Sequence, residues 1–403
     1  MDVFVARQPI FNKEKKIYGY ELLFREGMAN FFTGTDGNTA TSKVLSNSFL
    51  SIGIEELTGN HLAFINFTKD LLLQYIPNLF PKERLIIEVL EDIKPDEVIV
   101  KACRDLSEKG YQIALDDFLY RPEMKDLIAI ANIIKFDFRA TKPEEIENII
   151  KKISKHKLQL LAEKVETYQE FDTAIKMGFE YFQGYFFSKP EVIKGKDFSS
   201  VQINLLEIMA EIVKPDFQFK KIEEMISRDV SISYKLMRYM NSAYFRRTGK
   251  ISSIKEAIVL LGEKGIKNFL SLIAMTKLAE NKPDELIRSS IFRAKFCELT
   301  GPICRCGLDA SELFTLGLFS SIDAILDDTM EKLMKKLPLS DELKKALVNK
   351  EGLINSYLQL AIHYEKGDWE GVSRSLKEIG IDEHELPKIF MDAMSWADAI
   401  TSL

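Results

Sequence analysis

The chain has 403 residues, 46% hydrophobic and 29% charged, a composition that builds ordinary globular cores and excludes a mostly disordered protein. Its 55 basic and 61 acidic residues leave a net charge of -6, and neither half carries the basic excess of a nucleic-acid module, so no direct nucleic-acid binding is expected. The only histidines are His61, His156, His363 and His384, which excludes a histidine-rich metal centre and leaves carboxylates and amides as the available ligands.

The first residues, MDVFVARQPIF, lack the basic start, apolar core and cleavage site of a secretory signal. No apolar run reaches the roughly 20 residues needed to span a bilayer. A cytoplasmic protein without a membrane anchor is expected. Residues 1–190 then show eight short apolar, β-branched or aromatic runs, beginning at Val3, Tyr18, Leu62, Arg84, Tyr111, Ile133, Leu158 and Tyr181. Such runs predict strands buried on both faces. The first two are separated by the turn-like Asn12–Lys16 and predict a hairpin. Helix-forming stretches between the later runs suit βα crossovers. The pattern predicts an α/β fold, a TIM-like (β/α)8 barrel with antiparallel first strands.

The stretch SKPEVIKGKDFSS from Ser188 reads as a linker, dividing the chain into 1–195 and 196–403. Beyond it the period is helical. Ile232, Leu236 and Met240 recur at i, i+4, i+8, and Ile254, Ala257, Ile258 and Leu261 at i, i+3, i+4, i+7. The second half is expected to be all-α, with Pro215, Pro283, Pro302, Pro338 and Pro387 at helix boundaries. Cys103, Cys297, Cys304 and Cys306 form neither a disulfide framework nor a zinc-spaced set, and are expected to be reduced thiols.

Chemistry in such a barrel sits where strands end and βα loops begin. The predicted strand ends carry Asn66, Glu88, Asp116, Asp117, Lys135, Asp137, Glu163 and Gln183, the hairpin carries Glu21 and Arg25, and Glu91 and Glu166 follow closely. One such carboxylate is ordinarily a helix cap or a solvated loop residue. Many converging in a cleft would repel one another, and hard divalent cations with all-oxygen ligands resolve that conflict. Adjacent Asp116 and Asp117 suit two ions, an arrangement used in phosphoester cleavage.

These residues fall in motifs that resemble the EAL domain, the cyclic di-GMP phosphodiesterase family. Gln8-Pro9-Ile10 is similar to its opening QPI, Glu21-Leu22-Leu23-Phe24-Arg25 to ExLxR, and Asn66 to its INFT asparagine. Glu88-Val89-Leu90-Glu91 is similar to ExxE, Asp116-Asp117-Phe118 to DDF and Lys135-Phe136-Asp137 to KxD. Ala162 through Glu166 is similar to AEGVE, and Gln183-Gly184-Tyr185 with Pro190 to the closing QGY…P. The resemblance implies Mg²⁺ or Mn²⁺, as one or two ions, the first held by Glu21, Asn66, Glu88 and Asp116, with Asp117 helping to hold the second. It implies Glu163 as general base with Lys135 assisting, Gln8, Arg25, Asp137 and Gln183 at the nucleotide, and Glu91 bracing the loop after DDF. The implied reaction opens cyclic di-GMP to the linear dinucleotide.

Two departures stand out. The family's DDFGTGYSS reads here Asp116-Asp117-Phe118-Leu119-Tyr120-Arg121-Pro122, with both glycines gone, which predicts a strained loop and weak or lost hydrolysis. AEGVE has become AEKVE, and Lys164 is expected to lower the pKa of the adjacent Glu163 and weaken it as a base. The alternative is an active phosphodiesterase regulated by the second half.

That second half resembles the HDOD module, through Ile226-Ser227-Arg228-Asp229, Leu236, Asn241-Ser242-Ala243, Ile251 through Ile258 and Leu261-Gly262. Ser320-Ser321 stands where catalytic HD relatives carry His-Asp, so no metal chemistry is expected there. The likeness implies a bacterial signalling protein whose helical module engages a protein partner of unknown identity; a homodimer is also allowed.

Overall fold

The structure, a computed structural model, describes residues 3–26, 54–188, 226, 230–241, 251, 253–279, 282–303, 308–337 and 339–401. The chain divides into two compact units, Met1–Phe187 with Glu365–Asp368, and Ser188–Tyr364 with Trp369–Leu403. The expected join near residue 195 falls outside the described residues.

All eight expected strands form in the first unit: β1 (Val3–Asn12), β2 (Ile17–Glu26), β3 (Leu62–Phe67), β4 (Leu85–Val89), β5 (Gln112–Leu115), β6 (Ile133–Asp137), β7 (Gln159–Glu163) and β8 (Tyr181–Gln183). They close in sequence order into a barrel. β1 runs antiparallel to both β2 and β8, and every other pairing is parallel. The hairpin turn places Lys15 in the left-handed region (φ 60°), and Asn12 Oδ1 accepts the Lys16 N–H at 2.9 Å.

Helices α1 (Ile54–Thr58), α2 (Lys69–Leu73), α3 (Glu97–Glu108), α4 (Lys125–Ile130), α5 (Pro143–Ile153) and α6 (Tyr168–Lys176) flank the strands in sequence. Their starts carry local signals. Asp96 caps α3 by accepting from the Ile99 N–H, and Thr167 with Glu170 forms a reciprocal capping box on α6.

The barrel interior is layered by the two-residue period of a strand. Ile10, Phe64, Ile86, Ala114, Ile133, Leu161 and Tyr181 form one buried apolar layer. Two residues further along β3 to β8 stand Asn66, Glu88, Asp116, Lys135, Glu163 and Gln183. The apolar layer is therefore a floor beneath a polar rim. Gly19 makes room in that floor, since a Cβ there would lie 2.9 Å from the Phe64 ring.

The described part of the second unit is helical throughout: α7 (Val230–Met240), α8 (Ile254–Leu278), α9 (Asp284–Thr300), α10 (Ala310–Phe319), α11 (Ile322–Leu326), α12 (Met330–Lys336), α13 (Asp341–Asn349), α14 (Leu353–Lys366), α15 (Trp369–Ile379) and α16 (Leu386–Thr401). Both stretches read as amphipathic lie in helices, α7 and α8. α8 is broken at Gly262, whose φ of 65° and ψ of -177° a helix cannot continue. Pro283 precedes α9, Pro302 follows it and Pro387 sits in the first turn of α16, all at helix ends. Pro215 and Pro338 fall outside the described residues.

Candidate metal and nucleotide site at the barrel rim

Strand pairing brings the polar residues together. Asn66 is opposite Glu88, and Asp137 is opposite Glu163. At the centre stands Lys135, wholly buried. Its Nζ lies 2.5 Å from Glu88, 2.7 Å from Asp116, 2.9 Å from Glu163 and 3.5 Å from Glu21. Four carboxylates thus share one ammonium, an excess of three negative charges if all ionise.

The electrostatics follow from that excess. Burial pushes the Glu88 carboxyl well above its ordinary range, helped by Glu21 and Asp116 and opposed by Lys135. Glu163 is pushed up to about 8, again by burial first, with Lys135 pulling down and Asp116 and Glu21 pushing up. Burial alone would lower Lys135, but Glu163, Glu21, Glu88 and Asp116 together hold its ammonium well above the usual lysine value. Lys164 does act on Glu163, but it does not set the net direction: Glu163 moves upward, because burial and the neighbouring carboxylates dominate.

Neutral amides orient Glu21. Asn66 Nδ2 donates to Glu21 Oε1 at 3.1 Å, and Gln183 Nε2 donates to Glu21 Oε2 at 2.7 Å and to Gln8 Oε1 at 3.0 Å. These bonds use the amide donors and leave acceptors over. Asn66 Oδ1, Asp117 Oδ1, Glu163 Oε2 and Gln183 Oε1 are buried oxygens with no hydrogen-bond partner among the described residues. Unmet buried oxygens carry a desolvation penalty that a cation relieves. Among the described residues, no three carboxylate, imidazole or thiol side chains surround one point as ready metal ligands. The carboxylates have gathered on Lys135 instead. The donor set is all oxygen, the charge is unmet and the spare acceptors are buried, so the residues fit a hard divalent cation.

Asp117 follows β5 with φ of 38°, a left-handed conformation that Asp tolerates. The segment is pinned on both sides, by Asp116 N–H to Val89 O and Phe118 N–H to Lys135 O, both 3.0 Å. Burial, then Asp116, raises the Asp117 carboxyl, with Asp137 and Glu91 adding and Lys164 opposing. Glu91 is exposed after β4, and no hydrogen bond from it to the Asp117 loop is among the described contacts. Arg25 lies in β2 opposite Phe4, but its side chain falls outside the described residues.

The loop beyond DDF differs from the sequence expectation. Leu119 and Arg121 are not in the left-handed region; Arg121 has φ of -131° and leads into a short 3-10 turn at Pro122–Met124. Neither position adopts a conformation that needs glycine, so the predicted strain is absent there. Leu119 and Tyr120 are exposed, and the Lys152 ammonium sits 4.9 Å from the Tyr120 ring centroid.

Strain appears instead at Lys164, where φ is 55°. A side chain there costs about 1–2 kcal/mol relative to the right-handed region. Its Nζ reaches Asp137 Oδ2 at 2.5 Å, while Asp137 Oδ1 accepts the N–H groups of Arg139 at 2.6 Å and Ala140 at 3.1 Å. Burial alone would raise Asp137, but the Lys164 ammonium and those N–H groups hold it below the usual carboxylate range. Sequence reasoning missed this pair; the available signal was a lysine at the glycine of AEGVE. Gly184 is required next to it, because a Cβ there would lie 2.0 Å from Val165 O.

The helical unit presents no comparable centre among the described residues. Ser320 and Ser321 face Arg293, whose Nη1 donates to Ser321 Oγ at 3.1 Å and Ser320 Oγ at 3.4 Å. Gly317 permits the close crossing of α9 and α10 behind this contact; a Cβ there would sit 2.4 Å from the Arg293 backbone. Asn241 ties the end of α7 to Ile251 through two hydrogen bonds, a structural role; Ser242, Tyr244 and Phe245 lie outside the described residues. A cavity of about 690 Å³ is lined by polar groups that satisfy one another, Lys264 with Asp309, Lys267 with Glu263 and Asn268 with Glu298. Cys103 and Cys297 are buried thiols, and Cys297 Sγ donates to Tyr357 O at 3.7 Å; Cys304 and Cys306 fall outside the described residues. No helix among the described residues is long and apolar enough to cross a membrane.

Comparison with known proteins matches both halves. The EAL domain family matches residues 46–190 and the HDOD domain family residues 200–350. Cyclic di-GMP phosphodiesterase CdgJ of Vibrio cholerae is 35% identical over 99% of this chain and 93% of its own length. Uncharacterized protein YuxH of Bacillus subtilis is 37% identical over 98% of each. A solved c-di-GMP-bound standalone EAL protein from Vibrio cholerae aligns at 26% identity with a TM-score of 0.36, over 47% of this chain and 92% of that one. The two full-length relatives and the paired domains lead to one conclusion: the chain belongs to the EAL–HDOD family, a cyclic di-GMP phosphodiesterase-type EAL domain followed by an HDOD domain.

Proposed function

We propose that the EAL barrel is a divalent-cation-dependent cyclic di-GMP site with weak or lost hydrolysis, and that the HDOD unit serves protein–protein signalling. The observation that carries this reading is the convergence of Glu21, Glu88, Asp116 and Glu163 on one buried ammonium, with unpaired oxygens around it. Glu21, Asn66, Glu88 and Asp116 would hold Mg²⁺ or Mn²⁺, and Asp117 would help hold any second ion. The bound ion would polarise a phosphodiester and activate water.

The chain's own groups do the rest. Gln183 and Asn66 fix the Glu21 carboxylate in one orientation. Lys135 keeps four carboxylates from repelling one another. Glu163 Oε2 is the spare acceptor for a proton from the attacking water. Burial raises its proton affinity, and added positive charge at the rim would bring that affinity down into the range of a useful base. Gln8 supports Gln183 at the nucleotide side. The domains are assigned as 1–195 and 196–403, and the protein as cytoplasmic. A fully active phosphodiesterase governed by the HDOD unit is the second reading, favoured by the full-length likeness to a protein named as a phosphodiesterase.

The test is incubation of full-length protein with cyclic di-GMP and Mn²⁺, followed by separation of the linear dinucleotide. Slow product formation that Glu163→Gln abolishes, or Mn²⁺-dependent binding without product, supports the proposal. Rapid turnover favours the second reading, and neither turnover nor binding overturns both.

A further inference from the structure

The Lys164–Asp137 pair lies at the rim but outside the group around Lys135. Lys164 directly follows Glu163 at the end of β7, and Asp137 ends β6 opposite Glu163. The left-handed turn at Lys164 is fixed by its neighbour: Val165 N–H donates to Gln183 O at 3.0 Å and Val165 O accepts from Phe186 N–H at 3.1 Å. The lysine therefore cannot swing away with its backbone. Its ammonium lands on Asp137 at 2.5 Å, and the second Asp137 oxygen is taken by two backbone N–H groups. Both oxygens of Asp137 are thus committed.

Asp117 is the partly buried carboxylate on this side, with one buried oxygen unpaired, and the exposed Glu91 acts on it. Lys164 and Asp117 act on each other electrostatically. The charge balance divides the rim unevenly. Four carboxylates on one ammonium leave up to three negative charges unmet around Lys135. Asp117 and Asp137 against Lys164 leave up to one, with the exposed Glu91 beyond them. A divalent ion is drawn strongly to the first group, and a second ion beside Asp117 meets a tethered positive charge.

We propose that the Lys164 ammonium, held on Asp137, is a built-in cation that keeps a second divalent ion from the Asp117 side of the rim, leaving the barrel a one-ion site. This rests on the reading of the Lys135 cluster as a divalent-cation site.

The experiment is a Mn²⁺ titration of full-length protein, with free Mn²⁺ followed by electron paramagnetic resonance. The wild type should take one ion tightly. Lys164→Gly, which suits the left-handed turn, and Lys164→Met, which keeps a side chain but loses the charge, should each tighten a second ion by at least about tenfold. Lys164→Arg should stay at one ion. Melting in chelator confirms that each variant is folded. Two equally tight ions in the wild type would overturn the proposal, as would no gain in both the Gly and Met variants. Glu88→Gln separates the two levels. If it abolishes the tight ion while the Lys164 variants change nothing, only the present inference fails. If the wild type takes up no Mn²⁺, the cation-site reading fails with it.

Discussion

Lys135 is the residue on which the rim depends. A buried ammonium touching four carboxylates is costly to desolvate, and removing it leaves its partners uncompensated. Lys135→Met in chelator should destabilise the barrel by about 3–5 kcal/mol in urea unfolding. Millimolar Mn²⁺ should restore part of that loss, because it supplies the missing charge. A variant as stable as the wild type in chelator would show that the carboxylates do not need this cation. The sequence placed Lys135 near metals as a catalytic helper. Its place at the centre of the charge cluster depends on four strands meeting around one axis, which no local motif encodes.

At the scale of elements, the strands were legible because each pairs a continuous apolar run with polar residues at its end, two positions beyond a floor residue. The same alternation made Asn66, Glu88, Asp116, Lys135, Glu163 and Gln183 recognisable as a rim. Strain in the loop after DDF is not legible from missing glycines alone, since it arises only where the backbone needs a left-handed conformation, and Leu119 and Arg121 do not adopt one. The break at Gly262 was also hidden, because apolar spacing runs smoothly up to Leu261 and says nothing of the φ that follows. Gly184 is a sharper constraint: Gly184→Ala combines φ of 144° with a clash against Val165 O. It should lower stability by about 3 kcal/mol, read by thermal or urea unfolding; a loss below about 0.5 kcal/mol would contradict the described approach of the two segments.

Helix α10 carries a pH-dependent cap. Asp309 accepts the Ser311 N–H at 2.9 Å and pairs with Lys264, and these contacts, the N–H first, hold its carboxyl below its usual value of 3.8. A depressed value means the stabilisation is complete above the unfolded pKa and disappears as pH falls through the folded one. Asp309→Ala should therefore cost about 1 kcal/mol at neutral pH and progressively less below pH 3.8. Urea unfolding of both proteins across that range checks the sign; a cost that grows on acidification would contradict it.

For the whole molecule, the two units divide the chemistry. The barrel keeps an oxygen-rich rim with unmet negative charge, while the HDOD unit buries Arg293 against Ser320 and Ser321. On the proposed reading, catalysis belongs to the barrel and the helical unit serves recognition. The scarcity of histidine, evident from composition alone, costs the barrel nothing, because its candidate ligands are carboxylates and an amide. The most direct measurement is equilibrium binding of cyclic di-GMP to full-length Glu163→Gln protein, which should hold the ligand uncleaved, with Mn²⁺ and with chelator. Binding that requires Mn²⁺ and is lost on adding Glu88→Gln is the predicted result; binding indifferent to the metal, or none under either condition, would contradict the account.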